Sequence, residues 1–551
     1  MADLKAHLDP ADAVQLALLE GEACEARQEF PRAILHYMEA LAVNPQHVDA
    51  WCRLGRIFML GPDWSRAIEV LDTALQLSPG LPYAQKFLAL AHFNLGHREQ
   101  ALALIEEAAR HSHESNIWVL RAWIRSNIDK DPARTLAVFQ DWGRRFADPL
   151  TRKAVPFQKQ DRRPGKKLRV GYVTADFRVH SIAFFMQPVL RHHDPAQVEL
   201  YVYSGGKRDH ITDAMQQDVP HWHETMGMPD DALYQLIRAH QIDVLVDLSG
   251  HTAENRLLVF ARRAAPVQVT WLGFMNTLGM KGMDYRLTDG GTDPVGSDAF
   301  YSEKLFRLEC MASYIPPAPA PLREQLPMLA NGYPTLISLN NSFKITDAML
   351  RVWARILAQQ TDARLIIMVK ESTPDAAQAA MQQRVEDAGL PVERVSVVPQ
   401  LPLDQFMELG FMADLALDTS PVSGGTTTLH ALWMGLPVVA LDAQRAIDSS
   451  SARILAGIGL GELVASGDEE AYVRLAVELL QNPQRLAHYR ATNRATLQAS
   501  LLMDYVARTA EVEAAYRLMW LNYLCKAPRY LDSVCDVAEA VRATESFQAG
   551  K

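Results

Sequence analysis

At 551 residues, 48% of them apolar and 22% charged, the chain has the composition of ordinary folded protein and length enough for several domains, each with its own core. A formal net charge of -10 speaks against a nonspecific nucleic-acid binder, which would display a basic surface, and no stretch is apolar for long enough to span a bilayer. Five scattered cysteines, Cys24, Cys52, Cys310, Cys525 and Cys535, form no CxxC pair and suggest neither a zinc site nor a disulfide framework, and the amino-terminal MADLKAHLDPADA has no apolar signal core, so the expectation is a soluble, unexported protein of the reducing cytoplasm.

The first part of the chain repeats itself. Arg32, Ala33, Ala40, Leu41 and Pro45 recur 34 residues later as Arg66, Ala67, Ala74, Leu75 and Pro79, and Ala101, Ala108 and Ala109 fall at the next multiple. Gly21, Gly55 and Ala89 share that spacing. Small residues at fixed positions let two antiparallel helices approach, and the terminal proline stops the second helix; this is the tetratricopeptide signature in spacing and residue type. Trp51 and Phe58 complete the middle copy, and a degenerate fourth pair is predicted over residues 116–146. Such a solenoid offers a concave peptide-binding surface, or serves as a dimerisation and docking scaffold, and the spacing alone does not choose between these.

Residues 151–167, TRKAVPFQKQDRRPGKK, are basic, contain proline and lack periodicity. They read as a solvated hinge, with a nucleic-acid patch as the sharper alternative. From Leu168 the pattern changes to alternating strands and helices. LRVGYV, HQIDVLVDLSG, VQVTWLGF and YRLTD are strand candidates separated by helical stretches such as DDALYQLIRAH. A second set begins near Tyr333 with PTLISLNN and a helix over Asp347–Gln359, followed by RLIIMVK, RVSVVP, ADLALD and PVVAL. Each set predicts a parallel sheet with helices on both faces, the two domains flanking a cleft, and a helical run over 503–524 is expected to pack back across the first. The expected boundaries are repeats at 1–150, linker at 151–166, first lobe at 167–325, second lobe at 326–500, and a terminal helix and tail at 501–551.

Chemistry is expected where strands end. The stretch 413–441, ADLALDTSPVSGGTTTLHALWMGLPVVAL, reads as strand, glycine-rich loop, helix and strand. Gly424 and Gly425 let the backbone approach an anion, the amides of a helix start sit at the positive dipole end, and the hydroxyls of Thr426, Thr427 and Thr428 add donors, so a diphosphate would fit. An ordinary βα turn with threonine caps would use the same residues. Lys344, in LNNSFKITD, stands near a helix start, where the dipole disfavours a cation unless an anion is present; it could stabilise a leaving nucleoside diphosphate without a metal. Lys370, ending RLIIMVK, is a second candidate of that kind. After LRVGYV, the segment TADFRVHS puts Asp176 and His180 just beyond the first strand, and His251 with Thr252 follows IDVLVDLSG. A histidine with a near-neutral pKa suits proton transfer or a hydrogen bond to a reacting hydroxyl, while a histidine satisfied by its neighbours is the structural alternative.

Taken together, LRVGYVTADFRVHS, GHTAENRL, RRAAPVQVTWLGFMNTLG, MDYRLTD, NNSFKIT with VWARIL, and GGTTTLHALWMGLPVV resemble the catalytic region of the SPINDLY and O-GlcNAc transferase family. The resemblance runs in order from residue 168 to about 480, the preceding repeats are also that family's architecture, and the chain looks like a bacterial SPINDLY-like member. It implies an α-helical tetratricopeptide solenoid followed by an α/β GT-B fold of two Rossmann-like lobes. The nucleotide sugar would be held mainly by the second lobe, with an acceptor polypeptide across the cleft. The implied reaction transfers a sugar to Ser or Thr hydroxyls with inversion, needing no metal and no cofactor beyond the nucleotide-sugar co-substrate. By the same resemblance His180 is the histidine beside the acceptor hydroxyl, with Asp176 in the same catalytic loop, and Lys344 is the lysine that binds the diphosphate. Thr426 and Thr427 match the phosphate-contacting threonines, and Asn341, Lys370, Gly424, Gly425, Thr428 and His430 fall on the donor side. His251 and Thr252, expected on the acceptor side, belong to a GHT that looks more like SPINDLY than like the animal O-GlcNAc transferases.

Departures from the animal enzymes cluster on donor positions. His430 replaces an acidic residue placed to contact the ribose, Gly425 replaces a histidine, and Leu403 and Phe406 replace a lysine and a histidine. UDP-GlcNAc is the family's default donor, and the SPINDLY-like features also admit GDP-fucose. The connection over 316–332 leaves no room for the insertion between the animal enzyme's lobes. Three classes of function stay open: a cytoplasmic protein O-glycosyltransferase, a transferase of the same fold acting on a small molecule or glycan, and a tetratricopeptide scaffold without activity. The expected partners are a nucleotide sugar and a polypeptide, by analogy a bacterial surface or flagellar protein, with neither nucleic acid nor membrane, and a homodimer through the repeats is a further expectation.

Overall fold

The computed structural model describes residues 9–158, 160–317, 322–323, 325–371, 374–443, 445–530 and 536–549. Cys535, the first eight residues and part of the 316–332 connection lie outside the described residues. Helices α1 (Pro10–Ala26), α2 (Phe30–Val43), α3 (Val48–Leu60), α4 (Trp64–Leu77), α5 (Pro82–Asn94), α6 (Arg98–His111), α7 (Ser115–Ile128) and α8 (Pro132–Trp142) follow the predicted repeats, the last two at the predicted fourth pair. The repeat residues explain the packing. Ala33, Ala40, Ala67, Ala74 and Ala89 are fully buried, and a Cβ at Gly21 or Gly55 would lie 2.5 Å from Tyr37 or Leu71. Side chains of Asp9, Asp63 and Asp131 accept from amides of the first turns of α1, α4 and α8, the preferred cap chemistry.

The described chain divides into two compact units, Met1–Ile128 with Thr335–Pro402, and Asp129–Pro334 with Leu403–Lys551. In the second unit, strands β1 (Leu168–Thr174), β2 (Val198–Ser204), β3 (His221–Glu224), β4 (Val244–Asp247), β5 (Val267–Thr270), β6 (Tyr285–Asp289) and β7 (Lys304–Leu308) form a parallel sheet in the order β3-β2-β1-β4-β5-β6-β7. This is a doubly wound order. Its switch point falls between β1 and β4, so the loops leaving those two strands open the crevice where ligands of such sheets lie. Strands β2, β3 and β7 add to the four predicted ones, and HWHE of β3 is polar and half-exposed at the sheet edge, with no apolar run to reveal it.

In the first unit, β8 (Thr335–Ser338), β9 (Arg364–Met368) and β10 (Val395–Val398) pair in parallel with β9 central. In the second, β11 (Leu415–Leu417), β12 (Val438–Leu441) and β13 (Val464–Ala465) pair in parallel in chain order. The expected terminal helix spans Tyr505–Cys525. Its Tyr516, Met519, Trp520 and Leu524 join the core beneath the seven-stranded sheet, and its Glu513 accepts from His193 at 2.8 Å.

The 151–167 segment is not the solvated hinge its composition predicts. Thr151 donates to the Ala261 carbonyl at 2.8 Å, Arg238 donates to the Val155 and Pro156 carbonyls and covers the Phe157 ring, and Lys166 forms a buried 2.7 Å ion pair with Asp243. Lys166 is thus an internal donor, whereas Arg152, Lys153, Arg162, Arg163 and Lys167 are exposed, as the composition predicts. No helix among the described residues is long and apolar enough to cross a membrane.

Candidate functional site

At the end of β1 the Thr174 hydroxyl accepts from the Asp176 amide at 3.0 Å and lies 3.2 Å from the Ser249 hydroxyl, tying the two switch-point loops together. His180 is the N-cap of helix α9 (Ser181–His192), its Nδ1 accepting from the Ile182 amide at 3.3 Å. The same nitrogen stands 3.8 Å from Asp176 Oδ1, and the ring is 38% exposed. In this pose Nδ1 is an acceptor and Nε2 carries the proton. A proton-accepting Nε2 requires the other tautomer, with Nδ1–H turned to Asp176.

The loop after β4 is built on Asp247. Its carboxylate accepts from the amides of Ser249 and Gly250 and from the Thr270 hydroxyl at 2.9–3.2 Å, and burial pushes it up to about 6. Gly250 has φ +56, and a side chain there would overlap Phe274. His251 corrects the expectation of an accessible acceptor-side histidine. It is 3% exposed, stacked on Phe139 at 4.8 Å with the edge of Trp142 at 4.6 Å, and its Nε2 donates to the Leu278 carbonyl at 2.8 Å. Burial pushes it down to about 4, so the ring is neutral. The last repeat helix, α8, has closed over it. Thr252 donates to the Ser249 carbonyl at 2.9 Å and braces the loop.

Beyond β11, the Asp418 carboxylate accepts from the Gly424 amide at 2.7 Å, and Tyr472 donates to the Asp418 carbonyl at 2.8 Å. A Cβ on Gly424 would lie 2.8 Å from the Thr428 hydroxyl and 2.9 Å from both Asp418 Oδ1 and the Thr427 hydroxyl. Helix α11 (Thr426–Trp433) begins with Gly425 as N-cap and no side-chain cap, so the threonines are not the caps of an ordinary turn. Thr428 departs from the expected donor role. The residue is 3% exposed and its hydroxyl is paired at 2.6 Å with Ser451 on helix α12 (Ala446–Gly457), while Thr426 and Thr427 remain half-buried. His430, expected at the donor, is 5% exposed. Its Nδ1 is 2.7 Å from the Tyr314 hydroxyl, the edges of Phe184 and Phe406 close the ring in, and burial pushes it down to about 3. Phe184 belongs to α9, one turn past His180, so this unit brings the His180 helix and the glycine-loop helix into contact.

In the first unit the turn after β8 is capped by Asn341, whose side chain accepts from the Phe343 amide and begins the short turn Ser342–Lys344. Phe343 packs against Phe93 and Trp123 of the repeats, with ring centroids 5.8 and 5.3 Å away. Arg98 donates to the carbonyls of Phe343 at 3.0 Å and Asn127 at 2.7 Å. The helix after Lys344 is α10 (Asp347–Gln359), capped by Thr346. Lys370 lies with its ammonium 5.7 Å from the Trp64 ring centroid. The neighbouring Glu371 was missed in the sequence. It is 2% exposed, neither carboxylate oxygen has a hydrogen-bond partner among the described residues, and burial pushes it up to about 7. Tyr314, Asp247 and Asp418 were also missed; an aspartate closing a buried strand was the available signal for the last two.

A tetratricopeptide array continuing into two parallel α/β lobes, with an uncapped helix behind a glycine loop, defines a GT-B protein headed by repeats. The family model for glycosyl transferase family 41 matches residues 109–313 and 325–512, and tetratricopeptide models match 18–82 and 62–124. An O-GlcNAc transferase from Thermobaculum terrenum, solved in a mutant form, superposes with a TM-score of 0.87 at 31% identity, over 94% of this chain and 99% of that one. The probable UDP-N-acetylglucosamine–peptide N-acetylglucosaminyltransferases SPINDLY of Petunia hybrida and Arabidopsis thaliana are 34% identical over 391 and 396 residues, 70% of this chain in each case and 42% and 43% of those proteins. The chain thus spans about two fifths of the length of these plant relatives. It belongs to glycosyl transferase family 41.

Proposed function

We propose that this chain is a protein O-glycosyltransferase that moves N-acetylglucosamine from UDP-GlcNAc to Ser or Thr hydroxyls of polypeptides, with inversion and without a metal. The observation that carries this reading is the uncapped start of α11 behind Gly424 and Gly425, at the carboxyl end of β11, in a member of this family. Amides at a helix start, at the positive end of the dipole, are a ready anion site. The diphosphate would take the first-turn amides and the hydroxyls of Thr426 and Thr427, and the Lys344 ammonium would offset the charge that grows on the leaving UDP. The acceptor hydroxyl attacks the anomeric carbon as the bond to the β-phosphate oxygen breaks, and its proton passes to His180 Nε2 in the tautomer whose Nδ1–H turns to Asp176. The names of the similar proteins, which specify UDP-N-acetylglucosamine and peptide, support the donor and acceptor.

The finer parts of the reading concern partners. The acceptor is proposed to be a bacterial surface or flagellar polypeptide met in the cytoplasm. A second copy is proposed to pair through the first repeat, supported by Leu35 and Met38 of α2, 60% and 54% exposed, and Leu19 of α1 at 51%. The test incubates purified protein with UDP-GlcNAc or GDP-fucose, followed by mass spectrometry of co-expressed polypeptides. Sugar addition dependent on UDP-GlcNAc is the expected result. Absence of transfer, together with no thermal protection by any UDP or GDP compound, overturns the reading.

A further inference from the structure

The loop that carries Asp176 and His180 is braced by the chain leaving β2 and by the helix that follows it, His210–Gln216. The Gly205 amide donates to the Thr174 carbonyl at 2.8 Å, and a Cβ on Gly206 would overlap the Ala175 carbonyl, so the two segments run flush. Asp209 then divides its carboxylate. Oδ1 accepts from the amides of Ile211 and Thr212 at 3.0 and 3.1 Å and caps the helix, while Oδ2 accepts from the Val179 amide at 2.7 Å. The hydroxyl of Thr212, a residue 1% exposed, donates to the Phe177 carbonyl at 2.6 Å and accepts from the Asp209 amide at 3.1 Å. Phe177 itself is buried, with the Trp222 ring centroid 5.8 Å from its own. Burial pushes the Asp209 carboxyl up, but the amides of Val179, Thr212 and Ile211 outweigh it and hold it below its usual value, so it stays ionised and only accepts.

We propose that Asp209 and Thr212 are positioning residues that clamp the loop at Phe177 and Val179 and so set the distance between Asp176 and His180. This rests on the reading of His180 as the base. Both clamp points fall between those two residues in the chain, one on each side of Arg178. Asp176 Oδ1 and His180 Nδ1 stand 3.8 Å apart, just beyond hydrogen-bond reach, so a shift of under about 1 Å decides whether Nδ1–H is held and Nε2 is left to accept. An ordinary cap needs only Oδ1 of Asp209. The second oxygen and the Thr212 hydroxyl serve the neighbouring loop.

Substitutions that keep the cap and lose the clamp separate the two roles. Asn and Ser cap helices about as well as Asp, but Asp209→Ser has a single oxygen, and Asp209→Asn with its oxygen at the cap turns an N–H toward the Val179 amide. Thr212→Val removes the hydroxyl at nearly constant volume, and Thr212→Ser keeps it. For each variant kcat, KM, UDP affinity by calorimetry, Tm and hydrogen exchange over residues 175–180 are measured, and Asp209→Ser is repeated in the His180→Ala background. Asp209→Ser, Asp209→Asn and Thr212→Val are each expected to lower kcat by about tenfold or more, to leave UDP affinity within about twofold, and to speed exchange at Val179. Thr212→Ser is expected to stay within about twofold of wild type. In the His180→Ala background Asp209→Ser is expected to cost nothing further, since the group it positions is gone. A purely structural role would lower Tm with kcat unchanged, or lower kcat alike in both backgrounds; either result overturns the inference and leaves His180 its role. Near-normal turnover of His180→Ala, or wild type without transfer, overturns the reading of His180 and the inference with it.

Discussion

Arg98, on a repeat helix, donates a 3.0 Å hydrogen bond to the carbonyl of Phe343, the residue before Lys344. The guanidinium is buried enough to be pushed down to about 10, and it also holds the Asn127 carbonyl. The repeats therefore take part in holding the turn that carries Lys344. Arg98→Gln is expected to cost about 1–3 kcal/mol of stability, the usual loss when buried acceptors are orphaned, and to lower transfer although Arg98 meets no substrate. Urea denaturation and turnover on the same preparation check this; full activity at reduced stability would dissociate the turn from the chemistry.

Lys344→Ala removes the cation assigned to the leaving group. Transfer is expected to fall by about a hundredfold or more, as for loss of other preorganised charge-stabilising groups. Thermal protection by UDP should weaken alongside it. Undiminished transfer removes the assignment.

His180→Ala should lower kcat by about a hundredfold to ten-thousandfold, the range for a general base, with nucleotide affinity retained. Asp176→Asn should reproduce part of that loss, since an amide cannot stabilise the Nδ1–H tautomer as a carboxylate does. Near-normal turnover of His180→Ala with full donor binding would assign the proton elsewhere.

Gly424→Ala introduces a Cβ 2.8–2.9 Å from Thr428, Asp418 and Thr427. Something must move, and the Asp418–Gly424 hydrogen bond that shapes the loop is the nearest candidate. Loss of UDP-induced thermal protection is the expected readout.

Glu371 carries a pH prediction. Its folded-state value is raised to about 7 by burial, above the ordinary carboxylate value. The folded state thus holds this proton where the unfolded state has lost it. The group's contribution is most favourable at low pH, declines as pH rises from the ordinary value, and is lost above about 7. Glu371→Gln should therefore raise Tm by about 1–3 °C at pH 8 and by less at pH 5; a difference that grows toward low pH would contradict the raised value of this buried carboxylate.

Much was legible in the chain itself because it rests on local periodicity. The small residues at Gly21, Gly55 and Ala89 announce helix pairs, the apolar runs LRVGYV and RLIIMVK announce buried strands, and Gly424–Thr428 announces a loop that meets a helix start. These are properties of neighbours in sequence, and a neighbour's chemistry survives whatever surrounds it. Tertiary structure decided the rest. It buried His251 under α8, paired Thr428 with Ser451, enclosed His430 with Tyr314 and Phe184, and drew Lys166 of the basic linker into a buried ion pair with Asp243. In each case the deciding group is more than twenty residues or more than a hundred residues away in the chain. Desolvation and hydrogen-bond partners depend on what arrives from that distance, and residue type alone carries no record of it.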